Sequence, residues 1–168
     1  TDFKGNPTEC ALIVLARDLG FDYQLLRDST AGRSKETESQ GKAFMFSSAR
    51  KMMSWAVPNP EGGFRIFIKG ASEVVMERCT VVVDKTQGAC PFEDDLRQYI
   101  LTEVISDFAS QAMRTIALAY KDVPGPMSDL EATSQTVKNA DGTPALEVEC
   151  ELTLIGVVGI EDLLRREV

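Results

Sequence analysis

Within the run Phe46-Ser47-Ser48-Ala49-Arg50-Lys51, an aromatic side chain is followed within five positions by two cations. A flat ring beside positive charge suits a nucleotide, because bases stack on aromatic faces and phosphates are drawn to Lys or Arg. The same residues also fit a core Phe46 followed by solvated charges at a strand end, since apolar side chains are usually interior. A second candidate is Ile68-Lys69-Gly70-Ala71-Ser72-Glu73, where a Lys closes an apolar strand, a Gly permits close backbone approach and a helix begins. Its plainer reading is an ordinary exposed Lys. Neither G-x-x-x-x-G-K-[ST] nor G-x-G-x-x-G occurs, so a bound nucleotide requires another architecture.

Composition narrows the chemistry further. The chain has 168 residues and fits one domain able to bury a core without disulfides or metal. A net charge of -8 opposes broad contact with a nucleic-acid backbone. No His is present, which removes the usual partner of a Ser or Cys nucleophile and the commonest general base. Cys10, Cys79, Cys90 and Cys150 are far apart and form no C-x-x-C, so reduced cytosolic thiols are expected and a metal site is not. No apolar run is long enough to cross a bilayer. The first residue is not Met and no signal-like stretch follows it, so the chain reads as a segment of a longer protein.

The elements that must position these residues are mixed. Asn6-Pro7-Thr8-Glu9 reads as a helix start, with Asn6 as N-cap, Pro7 at the first helical position and Glu9 placed for a capping box. Ala11, Leu12, Leu15, Ala16 and Leu19 continue it as one apolar stripe, and Gly20 ends it. Residues 28–42 are polar and aperiodic, as in a mobile surface loop. Ala43 to Val57 and Phe64 to Lys69 read as β runs, antiparallel across the turn-rich segment 58–63. In the second run Phe64, Ile66 and Ile68 share one face, and Arg65, Phe67 and Lys69 the other.

A short helix over 71–79, a β-branched run over 80–83 and a turn at Gln87-Gly88 come next. A longer helix over about 92–112 carries Leu96, Ile100, Val104 and Phe108 at four-residue spacing. Arg114 to Lys121 reads as a strand, the stretch from Pro124 to about Ala145 as a surface excursion, and Leu152 to Ile160 as a buried strand. Without regular βαβ alternation, the expectation is an α+β fold with a mainly antiparallel, twisted sheet flanked by helices.

Taken in order, Gly5-Asn6-Pro7-Thr8-Glu9-Cys10-Ala11-Leu12, the FSSARKMMS run Phe46 to Ser54, Lys69-Gly70-Ala71-Ser72-Glu73, Met113-Arg114-Thr115-Ile116 and Val157-Val158-Gly159-Ile160-Glu161-Asp162 resemble the nucleotide-binding domain of P-type ATPases, most closely the plasma-membrane-type calcium pumps. The resemblance spans nearly the whole chain. It implies an ATP and ADP carrier at the cytosolic face of a membrane, handing phosphate to an aspartate elsewhere in a calcium-transporting pump. On its own such a domain is expected to be a monomer that binds nucleotide without turnover. Its partners would be the phosphorylation and actuator domains of the same pump, with Mg²⁺ needed by the intact enzyme. Residues 1–160 would form the nucleotide-binding domain, and 161–168 the start of a hinge. The other readings left open are the same domain of a different cation pump, and an interaction module with a degenerate pocket.

By that resemblance Phe46 stacks on adenine, Lys69 and the adjoining Gly70 line its pocket, and Glu9 lies near the adenine amino group. Lys51 and Arg114, with Thr115 beside it, approach the phosphates. Two departures stand out. Ser48 occupies a position where some pumps carry an Arg near the nucleotide, and Leu163 follows Asp162 where the family has a hinge Pro. Asp84-Lys85-Thr86 mimics the start of the phosphorylated Asp-Lys-Thr-Gly-Thr motif but continues Gln87-Gly88 and lies in an expected turn, so it reads as surface.

Overall fold

The computed structural model describes residues 5–25, 41–126, 130, 136–138, 142 and 144–161. They belong to two compact units, Thr1–Gln40 and Gly41–Val168, considered separately below. The expected loop at 28–42 lies outside the described residues except at its last two positions, and so does the hinge beyond Glu161.

In the first unit, α1 spans Pro7–Asp18. The Asn6 side chain accepts the backbone N–H of Thr8 at 2.9 Å, satisfying one of the donors that a helix start leaves unpaired. Past the helix, the N–H groups of Leu19 and Gly20 turn back to the carbonyls of Leu15 and Arg17, with Gly20 at φ 88. The anticipated stripe Ala11, Leu12, Leu15 and Ala16 is half-buried, while Leu19 is exposed.

The second unit is built on a seven-stranded sheet. Its strands are β1 (Lys42–Ser47), β2 (Met52–Pro58), β3 (Phe64–Ala71), β4 (Cys79–Asp84), β5 (Gly88–Pro91), β6 (Met113–Val123) and β9 (Leu152–Glu161). The order across the sheet is β1-β2-β3-β6-β9-β4-β5, and every pairing is antiparallel except β4 with β9. The α+β class with a mainly antiparallel sheet is therefore what the chain adopts. A separate hairpin, β7 (Thr136–Lys138) with β8 (Pro144–Leu146), leads into a 3₁₀ turn at Glu147–Glu149.

Helix α2 (Ser72–Glu77) joins β3 to β4. Between β5 and β6 runs a helical segment made of α3 (Asp94–Tyr99), a π turn (Ile100–Ile105) and α4 (Ser106–Ser110). A four-residue apolar repeat advances faster than the 3.6-residue turn of an α-helix, and the wider π turn absorbs the difference. Its effect is to bury Ile105 rather than Val104.

The core lies on one face of the sheet. Met52, Ala56, Phe64, Ile66, Ile68, Ala117, Ala119, Leu152 and Leu154 pack with Val75 and Met76 of α2 and with Ile105. Three expectations need correction. The run 43–57 is not one strand but a hairpin that turns at 48–51, because Lys51 adopts a left-handed φ of 54 and its N–H returns to Ser47. Residues 88–91 form a strand where only a turn was expected. The excursion after Pro124 is not wholly surface, since Leu130 joins the core and Ala145 is buried.

Candidate functional site

Phe46 and Lys69 meet on one face of the sheet through an irregularity in β1. Phe44 pairs with Ser54 and Ser47 with Met52, a one-residue shift that leaves Met45 and Phe46 together opposite Met53. Strict alternation from Phe44 would have sent Phe46 to the core side with Ser54. The bulge turns it to the side of Met53, which pairs directly with Lys69 of β3. Phe46 is 64% exposed, so its ring is available to a solute. From β1 to β3 is two strand spacings, about 10 Å, a reach comparable to a purine lying across the sheet.

Neighbouring positions extend this face. Trp55 pairs with Phe67, Phe67 with Tyr120, Lys69 with Leu118, and Arg65 with Asp122. Trp55 and Phe67 are 47% and 45% exposed, giving an aromatic floor beside Lys69. Arg65 stacks over Tyr120 at 4.6 Å from the ring centroid and bonds Asp122 at 2.6 and 2.7 Å.

The remaining anticipated residues divide. Ser48 and Lys51 are exposed in the β1–β2 turn. Arg114 is exposed and, by alternation from Leu118 and Ile116, shares the face of Lys69. It lies beyond the end of β3, whose last residue Ala71 pairs with Ile116 and whose N–H bonds the Lys51 carbonyl at 3.0 Å. Lys51 and Arg114 thus flank the same end of β3 from its two neighbouring strands.

Gly70 and Thr115 lie on the opposite, core face, with Gly70 paired to Ala117 and Thr115 to Gly159. Gly70 serves the site indirectly. A Cβ there would stand 2.6 Å from both the Lys51 carbonyl oxygen and Met52 Cβ, so its absence lets the 48–51 turn dock against β3. Glu9 is exposed in the first turn of α1, within the other unit.

Arg50, the other cation of the motif, is engaged within the fold. Its guanidinium pairs with Glu149 through Nη1 and donates from Nη2 to the Met45 carbonyl at 2.7 Å. The Glu149 side chain is 0% exposed and that of Arg50 only 12%. Ser54 Oγ also donates to Glu149, and Arg78 Nη1 stands 3.7 Å from its second oxygen. Nothing in the sequence near Glu149 announces this cluster, because its members come from β2, α2's end, the turn and the 3₁₀ segment. A Glu between a polar stretch and a strand otherwise reads as solvated.

Other chemistry has little support. Burial pushes the Cys79 thiol up to about 12, against the opposing pull of Arg97, so it stays protonated and poorly nucleophilic. All four cysteines are free. Asp84 accepts the N–H groups of Thr86 and Gln87 at 2.7 and 2.8 Å, which makes the Asp-Lys-Thr lookalike a hairpin turn between β4 and β5. Among the described residues no group of three or more His, Cys, Asp and Glu could hold a metal ion. No described helix is long and apolar enough to cross a membrane.

A family model described as P-type ATPase, cytoplasmic domain N, matches residues 1–167. Among curated proteins, the chain is 38% identical over 164 residues to plasma membrane calcium-transporting ATPase 4 of Homo sapiens, covering 98% of this chain and 12% of that protein. It is 36% identical over 168 residues to the ATPase 4 of Bos taurus and 38% identical over 164 residues to plasma membrane calcium-transporting ATPase 1 of Mus musculus, with the same coverage in each case. The chain therefore spans only 12% of the length of these relatives.

Proposed function

The chain belongs to the P-type ATPase cytoplasmic domain N family, and from that premise we propose that it binds ATP on the Phe46 face of its sheet and presents the terminal phosphate to an aspartate of another domain. The observation that carries the reading is the bulge in β1, which exposes the Phe46 ring on the face where Lys69 stands one strand beyond Met53. Adenine stacks on Phe46, and Lys69 bounds the slot from β3. Lys51 and Arg114, at the end of β3, supply positive charge for the phosphates, with Ser48 as a polar neighbour. Thr115 lies on the far face and acts through the strand that carries Arg114.

In this reading Mg²⁺ is a requirement of the intact pump. The chain's part is to bind, orient and release nucleotide. The names of its relatives support a calcium-transporting pump as the setting, and the family description supports a cytoplasmic position; the phosphorylation and actuator domains of that pump are the partners in this reading.

One stack contributes roughly 1–3 kcal/mol, and exposed charge contacts about 1 kcal/mol each at most. The sum corresponds to roughly millimolar to tens of micromolar affinity, which suits a carrier that must release ADP every cycle. ATP and ADP are expected to bind alike, with little need for Mg²⁺. Titration with ATP followed by NMR tests this, using Phe46→Ala beside the parent chain. Saturable shifts at the β1–β3 face that weaken by about fivefold to a hundredfold in the variant support the reading. Absence of any shift up to several millimolar ATP ends it.

A further inference from the structure

The buried Glu149 cluster holds the very residues that shape the Phe46 bulge. A bulge interrupts the ladder and leaves backbone groups of the extra residue without their usual strand partner. At Met45, one of the two bulged residues, the carbonyl takes its hydrogen bond from Arg50 Nη2 at 2.7 Å. The other arm of the same guanidinium is fixed by Glu149, itself wholly buried and bound by Ser54 Oγ and flanked by Arg78. Ser54 in turn pairs with Phe44, the last regular position before the bulge. Glu149 therefore grips the hairpin on both sides of Phe46, through Ser54 on β2 and through Arg50 in the turn.

We propose that Glu149 and Arg50 are positioning residues for nucleotide binding: an ionic clamp that holds the β1 bulge, and with it the outward aim of the Phe46 ring. The proposal rests on the reading of Phe46 as the adenine platform. Planarity matters to it, because a guanidinium presents donors in a fixed fork that can serve a carboxylate and a carbonyl at once. A Lys at position 50 keeps the charge opposite Glu149 but offers only a compact point charge, so the link to Met45 is lost first. Arg78 lies within the core, where it keeps Glu149 partly compensated while Arg50 is changed.

The test compares the parent chain with Arg50→Lys, Glu149→Asp and Phe46→Ala, each checked for cooperative melting. Two readouts are used: the methyl signal of ¹³C-labelled Met45 without ligand, and the Kd for ATP. The clamp predicts that Arg50→Lys shifts or broadens the Met45 signal while the rest of the sheet's spectrum is retained, and weakens ATP binding by about threefold to tenfold, as expected for losing one charge-assisted bond. Glu149→Asp, which keeps the charge on a shorter arm, gives a smaller change in both readouts and serves if Arg50→Lys does not fold. A lowered melting temperature with unchanged Met45 signal and unchanged Kd assigns the cluster to stability alone and overturns the proposal. Unchanged affinity in Phe46→Ala instead overturns the platform reading, and the clamp then stands or falls on the Met45 signal.

Discussion

The two faces of β2 and β3 are made from alternating residues of the same strands, yet they do opposite work. On one face Met52, Ser54, Ala56, Phe64, Ile66 and Ile68 are buried, nearly all of them apolar. On the other, Trp55 and Phe67 are about half exposed, with Arg65 and Lys69 between and beside them. In the reading proposed above, these half-exposed aromatics, on a sheet that has already built its core, are the surface that receives the nucleotide. Strict alternation alone would have left Phe46 on the first face. The second face acquires it only because β1 breaks register at Met45 and Phe46.

The largest expected effect separates the faces directly. Phe64→Ala, at a position 0% exposed, removes a filled core site and should cost about 3–5 kcal/mol of stability. Phe67→Ala, three residues along the same strand, should cost about 1 kcal/mol or less. Urea denaturation of both variants checks the contrast. Equal losses would mean that Phe67 is packed as deeply as Phe64 and that the second face is not an open surface.

A middle-sized effect sharpens the comparison at the edge of the second face. Lys51 sits at φ 54, a left-handed conformation that a non-glycine residue adopts at a cost of order 1–2 kcal/mol. Lys51→Gly relieves that cost, partly offset by the greater freedom of Gly in the unfolded chain, and should raise stability by up to about 1 kcal/mol. The same change removes a charge from the proposed phosphate end and should weaken ATP binding by about twofold to fivefold. Stability and affinity moving in opposite directions is the signature of strain kept for a ligand. A variant that is both weaker and less stable points to an ordinary structural Lys.

Much of this was legible in the chain because it is local. Period-two burial in Phe64 to Lys69, the Asn6-Pro7 helix start, the strands at 113–123 and 152–161 and the mixed class all follow from nearest-neighbour chemistry. The ordered motifs marked the family. The hairpin inside 43–57 was hidden because its turn, Ser48 to Lys51, contains neither Gly nor Pro and relies on a left-handed Lys. The role of Arg50 was hidden for a different reason: its partner Glu149 is 99 residues away, and only the folded sheet brings a buried carboxylate against the turn. The division of Arg114 from Thr115 across the sheet follows from alternation once the strand's register is known, but no spacing rule says which of the two faces is left exposed.

The smallest expected effect concerns the pair that borders the aromatic floor. Arg65 and Asp122 lie opposite each other in register and make two hydrogen bonds, and Asn59 adds a third, longer one at 3.4 Å. The Arg65 guanidinium holds the Asp122 carboxyl below its ordinary value of 3.8. A carboxylate whose folded-state value is depressed stabilises the fold above its unfolded value, and that contribution disappears as pH falls through the folded value. The pair should therefore be at full strength at neutral pH and fade below about pH 4, where Asp122 takes up its proton. Both side chains are more than a third exposed, so solvent screening limits the contribution to about 1 kcal/mol or less. Comparing urea midpoints of the parent and Asp122→Asn from pH 7 down to pH 2 isolates it: the gap between the two proteins should be small at pH 7 and shrink progressively as pH falls below about 4. A gap that does not shrink over this range would assign the effect to Asn59 and Tyr120 packing rather than to charge, and would make this border part of the packed face.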